Sequence, residues 1–321
     1  MKIVIPHGFG LGEEAMAKLE AVARVVVLGD PSEESLLAEI RDADVLLVGI
    51  APRVTESLME RAPRLRHIAR QGVGVDIVDV KAATKRGIVV TNVPDVTSNS
   101  VAEFTMTLLL SVAKNIVHCD RAVKEGHWDK RLGLSRTNLE LYGKTHGVVG
   151  LGRIGGRVAI RCQAFGMRVL YFQRNRNPEM EKAGIAYASL AELIRQSDSI
   201  SLHLPLSKET VNLIDTPQFD SMKRGVLLIN QSRGTVVNEA ALVLALREGR
   251  VGGYGTDVYD REPPDPKHEL FGFGNVVASP HLGGGTRETR ARANMVLAED
   301  VIRVLKGDPP KNLVADSLVD E

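Results

Sequence analysis

A glycine-rich segment in the middle of the chain has the spacing of a phosphate-binding loop. The segment reads Gly150-Leu151-Gly152-Arg153-Ile154-Gly155 and follows the apolar pair Val148-Val149. The first glycine of such a loop permits a tight turn, the second admits a pyrophosphate, and the third lets a helix pack on a strand. Amides at the helix N-terminus then face the phosphates, and Arg153 can add charge. The pattern predicts a dinucleotide-binding loop.

The end of the next predicted strand bears on which dinucleotide binds. An NAD site usually carries an acid there, about 20 residues after the loop, which accepts from the ribose 2′-hydroxyl. This chain instead reads Gln173-Arg174-Asn175-Arg176. Arg174 can pair with a 2′-phosphate in a bidentate manner. We therefore expect NADP(H) to be favoured over NAD(H). The alternative is that both arginines are solvated loop charges.

The elements around this loop alternate between short apolar strands and helices. Before residue 99 the expected strands are Lys2–Ile5, Val25–Leu28, Val45–Gly49, His67–Ala69 and Ile88–Thr91, and the expected helices are Glu13–Ala23, Ser35–Asp42, Glu56–Ala62 and Asp79–Lys85. Beyond residue 125 the expected strands are Gly147–Gly150, Val169–Phe172, Ser199–Leu204, Val226–Asn230, Gly253–Asp257 and Val276–Ala278. This rhythm predicts an α/β protein with parallel sheets.

Two longer helices are expected to connect the two series of strands. One runs from Asn99 to Glu125 and is closed by Gly126, and the other runs from Thr286 to Lys306 and is closed by Gly307. Ser32 and Ser189 have the positions of helix N-caps. A cleft between two α/β domains is a usual place for a ligand.

Composition excludes several other classes of protein. The net charge of +1 gives no reason to expect nucleic acid as a partner. Cys119 and Cys162 form no CxxC pair, and the eight histidines show no metal-ligand spacing, so we predict neither a disulfide framework nor a metal. The apolar runs are too short to span a bilayer. We expect a soluble cytoplasmic protein without a membrane partner.

Further motifs make the chain resemble the D-isomer-specific 2-hydroxyacid dehydrogenase family over nearly its whole length. Besides the glycine loop, they are Gly72-Val73-Gly74-Val75-Asp76, Val101-Ala102-Glu103, Gly126-x-Trp128, Gly143-Lys144-Thr145, His203-Leu204-Pro205-Leu206, Asn230-Gln231-Ser232-Arg233-Gly234, Asp257-x-x-x-x-Glu262-Pro263 and Ser279-Pro280-His281-Leu282-Gly283-Gly284. The resemblance implies two Rossmann-like or flavodoxin-like parallel-sheet domains with an interdomain cleft. The substrate-binding domain would be 1–98 plus 289–321, and the dinucleotide-binding domain 99–288. It also implies a homodimer, with the segment near Trp128 contributing.

The resemblance assigns the chemistry to Arg233, Glu262 and His281, each of which follows a predicted strand. Arg233 would bind the carboxylate and carbonyl oxygen of a 2-keto acid through its planar fork. His281 would donate a proton during reduction and accept one during oxidation. Glu262 would pair with His281, orient the ring and favour imidazolium.

Contacts to substrate and cofactor are implied in the same way. The amides of Val73 and Gly74 would hold the substrate carboxylate together with Arg233 and His281. Asp257 would accept from the nicotinamide carboxamide. The remaining cofactor contacts would be Gly150, Gly152, Arg153, Ile154, Gly155, Gln173, Arg174, Leu204, Pro205, Gln231, Ser232 and Gly283. Gln231 departs from the smaller residue common at its place.

Three functions are open at this point. The first is a reductase of 2-keto acids such as glyoxylate and hydroxypyruvate that favours NADPH. The second is an NAD-dependent D-3-phosphoglycerate dehydrogenase, in which Arg53 and Arg70 would meet the phosphate. The third, of another class, is a dinucleotide-sensing transcriptional corepressor, because relatives with that role keep the same catalytic residues.

Overall fold

The computed structural model describes residues 1–314, which form two compact units. The first comprises Met1–Thr97 and the chain from Gly285 onward, and the second is Ser98–Gly284. The predicted boundaries fall one and four residues later in the chain than these. The second boundary differs because Thr286 caps the last helix, and this helix packs as a whole on the first unit. The substrate and dinucleotide roles given to the units stay predictions, as does the predicted cleft.

The first unit contains a parallel sheet of five strands. They are β1 (Lys2–Ile5), β2 (Arg24–Val27), β3 (Val45–Val48), β4 (His67–Arg70) and β5 (Val89–Thr91), in the order β2-β1-β3-β4-β5. Its helices are α1 (Glu13–Glu20), α2 (Glu33–Ile40), α3 (Glu56–Glu60), α4 (Val80–Lys85) and α13 (Arg287–Lys306). Successive strand residues enter two separate cores, one with α1 and α13 and one with α2 to α4. The strands are continuous apolar runs because both faces are covered.

The second unit contains a parallel sheet of seven strands. They are β6 (Thr145–Val149), β7 (Arg168–Phe172), β8 (Ala186–Tyr187), β9 (Ser199–Leu202), β10 (Val226–Asn230), β11 (Val251–Thr256) and β12 (Val276–Ala278), in the order β12-β11-β10-β9-β6-β7-β8. Its helices are α5 (Ser98–Ala113), α6 (Ile116–Lys124), α7 (Arg131–Thr137), α8 (Arg153–Ala164), α9 (Pro178–Lys182), α10 (Leu190–Gln196), α11 (Thr216–Ser221) and α12 (Glu239–Arg247). The strand order reverses between β6 and β9, where α/β sheets bind ligands.

Local signals at several helix ends are confirmed. The Ser32 hydroxyl accepts from the Ser35 amide, and Ser189 forms a reciprocal capping box with Glu192. Gly307 ends α13 with a φ of 84°, a left-handed conformation that suits glycine. The strand β8 was not predicted, because two residues are too few to give a periodic pattern.

The prediction of one helix from Asn99 to Glu125 is wrong. The chain forms α5 and α6, which meet at a bend of 62°. The break lies at Asn115, whose φ of 48° is left-handed and whose side chain donates to Thr137 Oγ1. Asparagine tolerates this conformation better than most residues, so it can end a helix in the middle of an apolar pattern.

The two halves of this helical region also differ in burial. α5 is mostly buried against the sheet, whereas α6 exposes apolar side chains. No single helix among residues 1–314 has the length and apolar character to cross a membrane. Within this part of the chain, the bent pair of α5 and α6 meets both criteria when the two helices are taken together.

Candidate active site

The residues predicted in the second unit all follow the carboxyl ends of its strands. The glycine loop follows β6, Gln173 and Arg174 follow β7, Leu204 and Pro205 follow β9, Gln231, Ser232 and Arg233 follow β10, Asp257 and Glu262 follow β11, and His281 and Gly283 follow β12. Because the strands are parallel, these ends share one edge of the sheet. The fold thus brings together residues that are far apart in sequence.

Each glycine of the loop has a separate steric reason. A Cβ on Gly150 would lie 2.6 Å from the His203 carbonyl oxygen, and its φ is 95°. A Cβ on Gly155 would lie 2.0 Å from the Gly150 carbonyl oxygen, so α8 packs against the loop only with glycine here. A Cβ on Gly152 would meet no described atom within 4 Å. The approach to Gly152 is therefore open, as a pyrophosphate requires.

The N-terminus of α8 faces this opening. Gly152 is its N-cap, no side chain caps it, and its first turn contains no acid. Arg153 is exposed, whereas Ile154 is half-buried against the core. The first amides of a helix lack partners within it and carry partial positive charge, so they suit a phosphate.

The two arginines after β7 have different environments. Arg176 forms an ion pair with Glu181, and its guanidinium lies 5.1 Å from the centre of the Tyr187 ring. Arg174 is exposed at the end of the loop. Gln173 lies before it, half-buried, and donates to the Asn175 carbonyl. Arg176 is thus engaged within the protein, whereas Arg174 is exposed and lies near enough to Glu209 to help lower the pKa of that carboxyl.

The residues after β9 support the glycine loop. Leu204 Cδ2 would lie 3.0 Å from a Cβ on Gly150, so this side chain contacts the loop directly. Pro205 is exposed, and its carbonyl accepts from Thr210 Oγ1 at 2.7 Å.

A buried polar group lies where β10 and β11 end. The Gln231 side chain accepts from Thr105 Oγ1 at 2.5 Å, and Asp257 Oδ2 accepts from the Gly283 amide at 2.7 Å. Ser232 is buried and donates to Asn230 Oδ1 through both its amide and its hydroxyl. Burial raises the pKa of Asp257.

This group fits the carboxamide of a nicotinamide ring. Gln231 Nε2 and Asp257 Oδ1 are buried, and neither has a hydrogen bond of good geometry within residues 1–314, although the Gln231 side chain lies near enough to Asp257 to oppose the rise in its pKa. Leaving a buried donor and a buried acceptor unsatisfied is costly. A carboxamide offers an oxygen to the first and an N–H to the second, so these two side chains could hold it.

Sequence reasoning missed two hydroxyls of α5 that hold these loops. Thr105 binds Gln231, and Ser100 Oγ donates to the Gly283 carbonyl at 2.6 Å. Both residues are buried. A signal for these contacts was available in the sequence. Both hydroxyls stand at positions that the helical pattern places in a core, and buried polar groups need partners.

His281 and Glu262 form a hydrogen-bonded pair. His281 Nδ1 lies 2.6 Å from Glu262 Oε2, and Glu262 Oε1 accepts from the Tyr259 amide at 3.1 Å. The hydrogen bond to Glu262 raises the pKa of His281, which burial only partly opposes. Burial alone would raise the pKa of Glu262, but its hydrogen bonds and the charge of His281 lower it. Both shifts favour the imidazolium–carboxylate form of the pair.

Arg233 lies close enough to influence both members of the pair. Its charge helps to lower the pKa of Glu262 and opposes the raised pKa of His281. Its Nη1 donates to the Ser232 carbonyl at 2.8 Å, and Asn230 Nδ2 donates to the Arg233 carbonyl at 2.9 Å. The next residue, Gly234, packs so tightly that a Cβ would lie 2.1 Å from the Tyr259 carbonyl carbon. Arg233 is thus held at a fixed place beside the pair.

Val73 and Gly74 lie in the first unit, on the loop after β4. The Val73 carbonyl accepts from Asn92 Nδ2 at 2.7 Å, and the Gly74 carbonyl accepts from Arg70 Nε at 3.0 Å. Arg70 Nη1 also donates to the Gln71 carbonyl at 2.9 Å. The two amides donate to no other residue of the described chain. The carbonyls fix the loop, which leaves its amides for a ligand.

The described chain contains no cluster of three or more His, Cys, Asp or Glu side chains suited to a metal ion.

Substitution of three neighbouring glycines separates cofactor binding from packing. We expect Gly152→Ala to weaken the binding of NADH and NADPH about tenfold or more while the melting temperature stays near that of the wild type, because its Cβ enters the phosphate approach. Gly155→Ala should destabilise the protein by about 1–3 kcal/mol or more through overpacking. Gly156→Ala is the control, since its Cβ would lie an ordinary 3.4 Å from Met180 Cε. Fluorescence titration and thermal melts measure both effects. Unchanged NADPH affinity in Gly152→Ala would contradict the assignment.

The chain is similar to several known proteins. Residues 106–283 match the model of the D-isomer specific 2-hydroxyacid dehydrogenase, NAD binding domain. A glyoxylate reductase from Aeropyrum pernix is 44% identical over 294 residues, which are 90% of this chain and 88% of the relative. A D-3-phosphoglycerate dehydrogenase from Methanocaldococcus jannaschii is 40% identical over 306 residues, which are 95% of this chain but 58% of the relative. The crystal structure of the TT0316 protein from Thermus thermophilus has a TM-score of 0.90 and 38% identity, and covers 98% of this chain and 100% of that one. The chain belongs to the D-isomer-specific 2-hydroxyacid dehydrogenase family, whose members are oxidoreductases that use a nicotinamide cofactor.

Proposed function

We propose that the protein reduces small 2-keto acids, glyoxylate and hydroxypyruvate among them, to 2-hydroxy acids and favours NADPH. The observation that carries this proposal is the 2.6 Å contact between His281 Nδ1 and Glu262 Oε2 at the sheet edge that also presents the dinucleotide loop. The Aeropyrum pernix glyoxylate reductase, which aligns over most of both chains, supports the choice of substrate.

The proton comes from His281. Its Nδ1 is engaged by Glu262, so Nε2 is the nitrogen that faces a substrate. A nicotinamide held by Gln231 and Asp257 would supply the hydride for the carbonyl carbon. His281 Nε2 would give its proton to the carbonyl oxygen, which leaves the 2-hydroxy acid and neutral histidine. Glu262 favours the charged ring before transfer, since the pKa of His281 is raised.

Arg233 and the 73–74 loop bind the carboxylate end of the substrate in this proposal. The Arg233 guanidinium offers parallel N–H groups that match a carboxylate, and it stabilises charge that develops on the carbonyl oxygen. The amides of Val73 and Gly74 offer a second set of donors. The first unit is accordingly proposed as the substrate-binding domain and the second as the dinucleotide-binding domain.

The preference for NADPH rests on the loop after β7. An acid at this place would repel a 2′-phosphate, and the loop instead presents Gln173 and the exposed Arg174. Charge-assisted hydrogen bonds of this kind contribute about 1.5–3 kcal/mol each.

Phosphoglycerate oxidation is the second candidate, supported by the Methanocaldococcus jannaschii relative. One predicted phosphate ligand, Arg70, instead donates to the carbonyls of Gln71 and Gly74, which favours a structural role. Arg53 is exposed and is the remaining candidate. Oxidation of 3-phosphoglycerate by the wild type that is lost in Arg53→Ala would favour this function over the first.

We also propose a homodimer formed through α6, α7 and the turn between them. Apolar side chains are exposed here, with Val123 at 60%, Trp128 at 68% and Leu132 at 63%. Large apolar side chains that stay exposed in one segment are a mark of an interface.

A cytoplasmic location is proposed because both cysteines are free thiols. Cell fractionation would test it, and recovery outside the cytoplasm would contradict it.

The cofactor preference is tested with kcat/KM for glyoxylate and hydroxypyruvate with NADPH and NADH. We expect NADPH to be favoured in the wild type, and Arg174→Ala to lower kcat/KM for NADPH by about tenfold or more with little effect on NADH. Arg176→Ala is the matched control and should keep the preference, because Glu181 binds this arginine. A strong preference of the wild type for NADH would overturn the cofactor assignment.

The pH dependence tests the role of Glu262. The raised pKa keeps His281 protonated, so reduction persists below that pKa and is lost as the pH rises through it. In Glu262→Gln the pKa of His281 falls, so the pH profile of reduction should move to lower pH. At a fixed pH on the alkaline side, the rate of reduction should be about tenfold lower for each pH unit that the profile moves. Oxidation needs neutral histidine and should change in the opposite sense. The control is Glu269→Gln, which removes an acid paired with Arg247. Identical profiles for wild type and Glu262→Gln would refute this role.

The dimer is tested by placing a charge in the exposed apolar surface. We expect Trp128→Glu to sediment as a monomer and the wild type as a dimer, because burying an unpaired carboxylate is costly. Leu244→Glu, at a residue 54% exposed on α12, should stay dimeric. Analytical ultracentrifugation distinguishes these results, and a dimeric Trp128→Glu would argue against the interface.

A further inference from the structure

Tyr259 contacts both of the loops that carry the His281–Glu262 pair. Its amide donates to Glu262 Oε1 at 3.1 Å, and its hydroxyl donates to the Ser279 carbonyl at 3.0 Å. Ser279 lies two residues before His281. Tyr259 therefore binds Glu262 directly, and it also binds the backbone two residues before His281.

These contacts close a ring of hydrogen bonds. The Ser279 carbonyl also accepts from the His281 amide at 3.1 Å, and the His281 ring returns to Glu262 at 2.6 Å. Removal of the tyrosine hydroxyl alone opens the ring between β11 and β12, while the contact of the Tyr259 amide with Glu262 remains.

The backbone of His281 needs such support. Its φ of 49° lies in the left-handed region, which a residue with a Cβ rarely adopts. Conformations of this kind persist where surrounding contacts impose them. The amide of His281 donates to the Asp257 carbonyl at 2.9 Å and to Ser279, and Tyr259 holds Ser279 from the other side.

The tyrosine ring is itself fixed in direction. Tyr259 is only 9% exposed and meets Phe271 edge-to-face, with ring centres 5.8 Å apart, and His268 at 6.2 Å. His268 Nε2 is in turn bound to Glu239 Oε1 at 3.0 Å. A ring held on two sides directs its hydroxyl at one place, so the contact with Ser279 is a fixed one.

We propose that Tyr259 is a positioning residue, which holds the turn at Ser279 so that the His281 ring stays aligned with Glu262. This inference rests on the proposed function for its effect on turnover, but not for its effect on the ionisation of His281. The groups that face His281 are Glu262 and Asp257, which favour its protonation, and Arg233, which opposes it. Tyr259→Phe leaves all three in place and changes only the alignment of the ring.

The test compares wild type, Tyr259→Phe and Tyr254→Phe. The His281 ring is titrated by NMR of histidine-labelled protein and assigned by its absence in His281→Gln, and the pH profile of glyoxylate reduction is measured beside it. Tyr254→Phe is the matched control, since it also loses a buried hydroxyl, one that lies beside Thr256 and Asn230 and not beside the pair. Thermal melts identify a temperature at which all variants are folded.

We expect His281 of Tyr259→Phe to titrate at a lower pH than in wild type. On the alkaline side of the pH profile, kcat for reduction should fall about two- to tenfold, the factor that corresponds to the loss of one hydrogen bond. KM for NADPH should stay unchanged. Tyr254→Phe should leave the titration in place. An unchanged titration in Tyr259→Phe, or an equal change in Tyr254→Phe, would overturn the proposal.

The failure of the proposed function is distinguishable from failure of this inference. If the wild type turns over no 2-keto acid, the proposed function is wrong, and the NMR titration still decides whether Tyr259 controls the protonation of His281.

Discussion

His281 Nδ1 and Glu262 Oε2 lie 2.6 Å apart, although the two residues leave different strands of the sheet. The contact exists because β11 and β12 are parallel neighbours, paired from Tyr254 with Val276 to Thr256 with Ala278. Parallel pairing brings both loops out at one edge, and the left-handed backbone of His281 turns its ring toward the carboxylate. A few close contacts of the second unit hold the two loops around this hydrogen bond. Gly234 lets the Arg233 turn approach Tyr259, and Tyr259 ties the two loops together.

The same edge of the sheet supplies the dinucleotide loop by a different physical means. Loops near the pair are held by side-chain hydrogen bonds, whereas the 150–155 loop is shaped by the absence of side chains at three positions. α5 contacts both regions. Its hydroxyls at Thr105 and Ser100 bind Gln231 and Gly283, and its apolar side chains share a core with α8, which follows the 150–155 loop.

Sequence reasoning predicted the parts of this arrangement that depend on local sterics. The glycine spacing predicts the loop because Gly150 and Gly155 leave no room for a Cβ and Gly152 leaves the approach to the backbone open. Apolar runs predict the buried strands. The partnership of His281 with Glu262 is not visible in their spacing, and it came from the resemblance to a family. Contacts across long sequence separation were missed, those of Tyr259, Ser100 and Thr105 among them. The break at Asn115 was missed because the apolar pattern continues through it, and the environment of Arg70 depends on carbonyls of a folded loop.

The most direct measurement of the central claim is the turnover of His281→Gln under saturating NADPH and glyoxylate, with NADPH affinity measured separately. General acid catalysis contributes typically about 10²–10⁴-fold. If His281 supplies the proton, kcat falls by a factor in that range while the affinity for NADPH remains that of the wild type. A kcat within about twofold of the wild type would contradict the assignment of the proton donor and the account built on it.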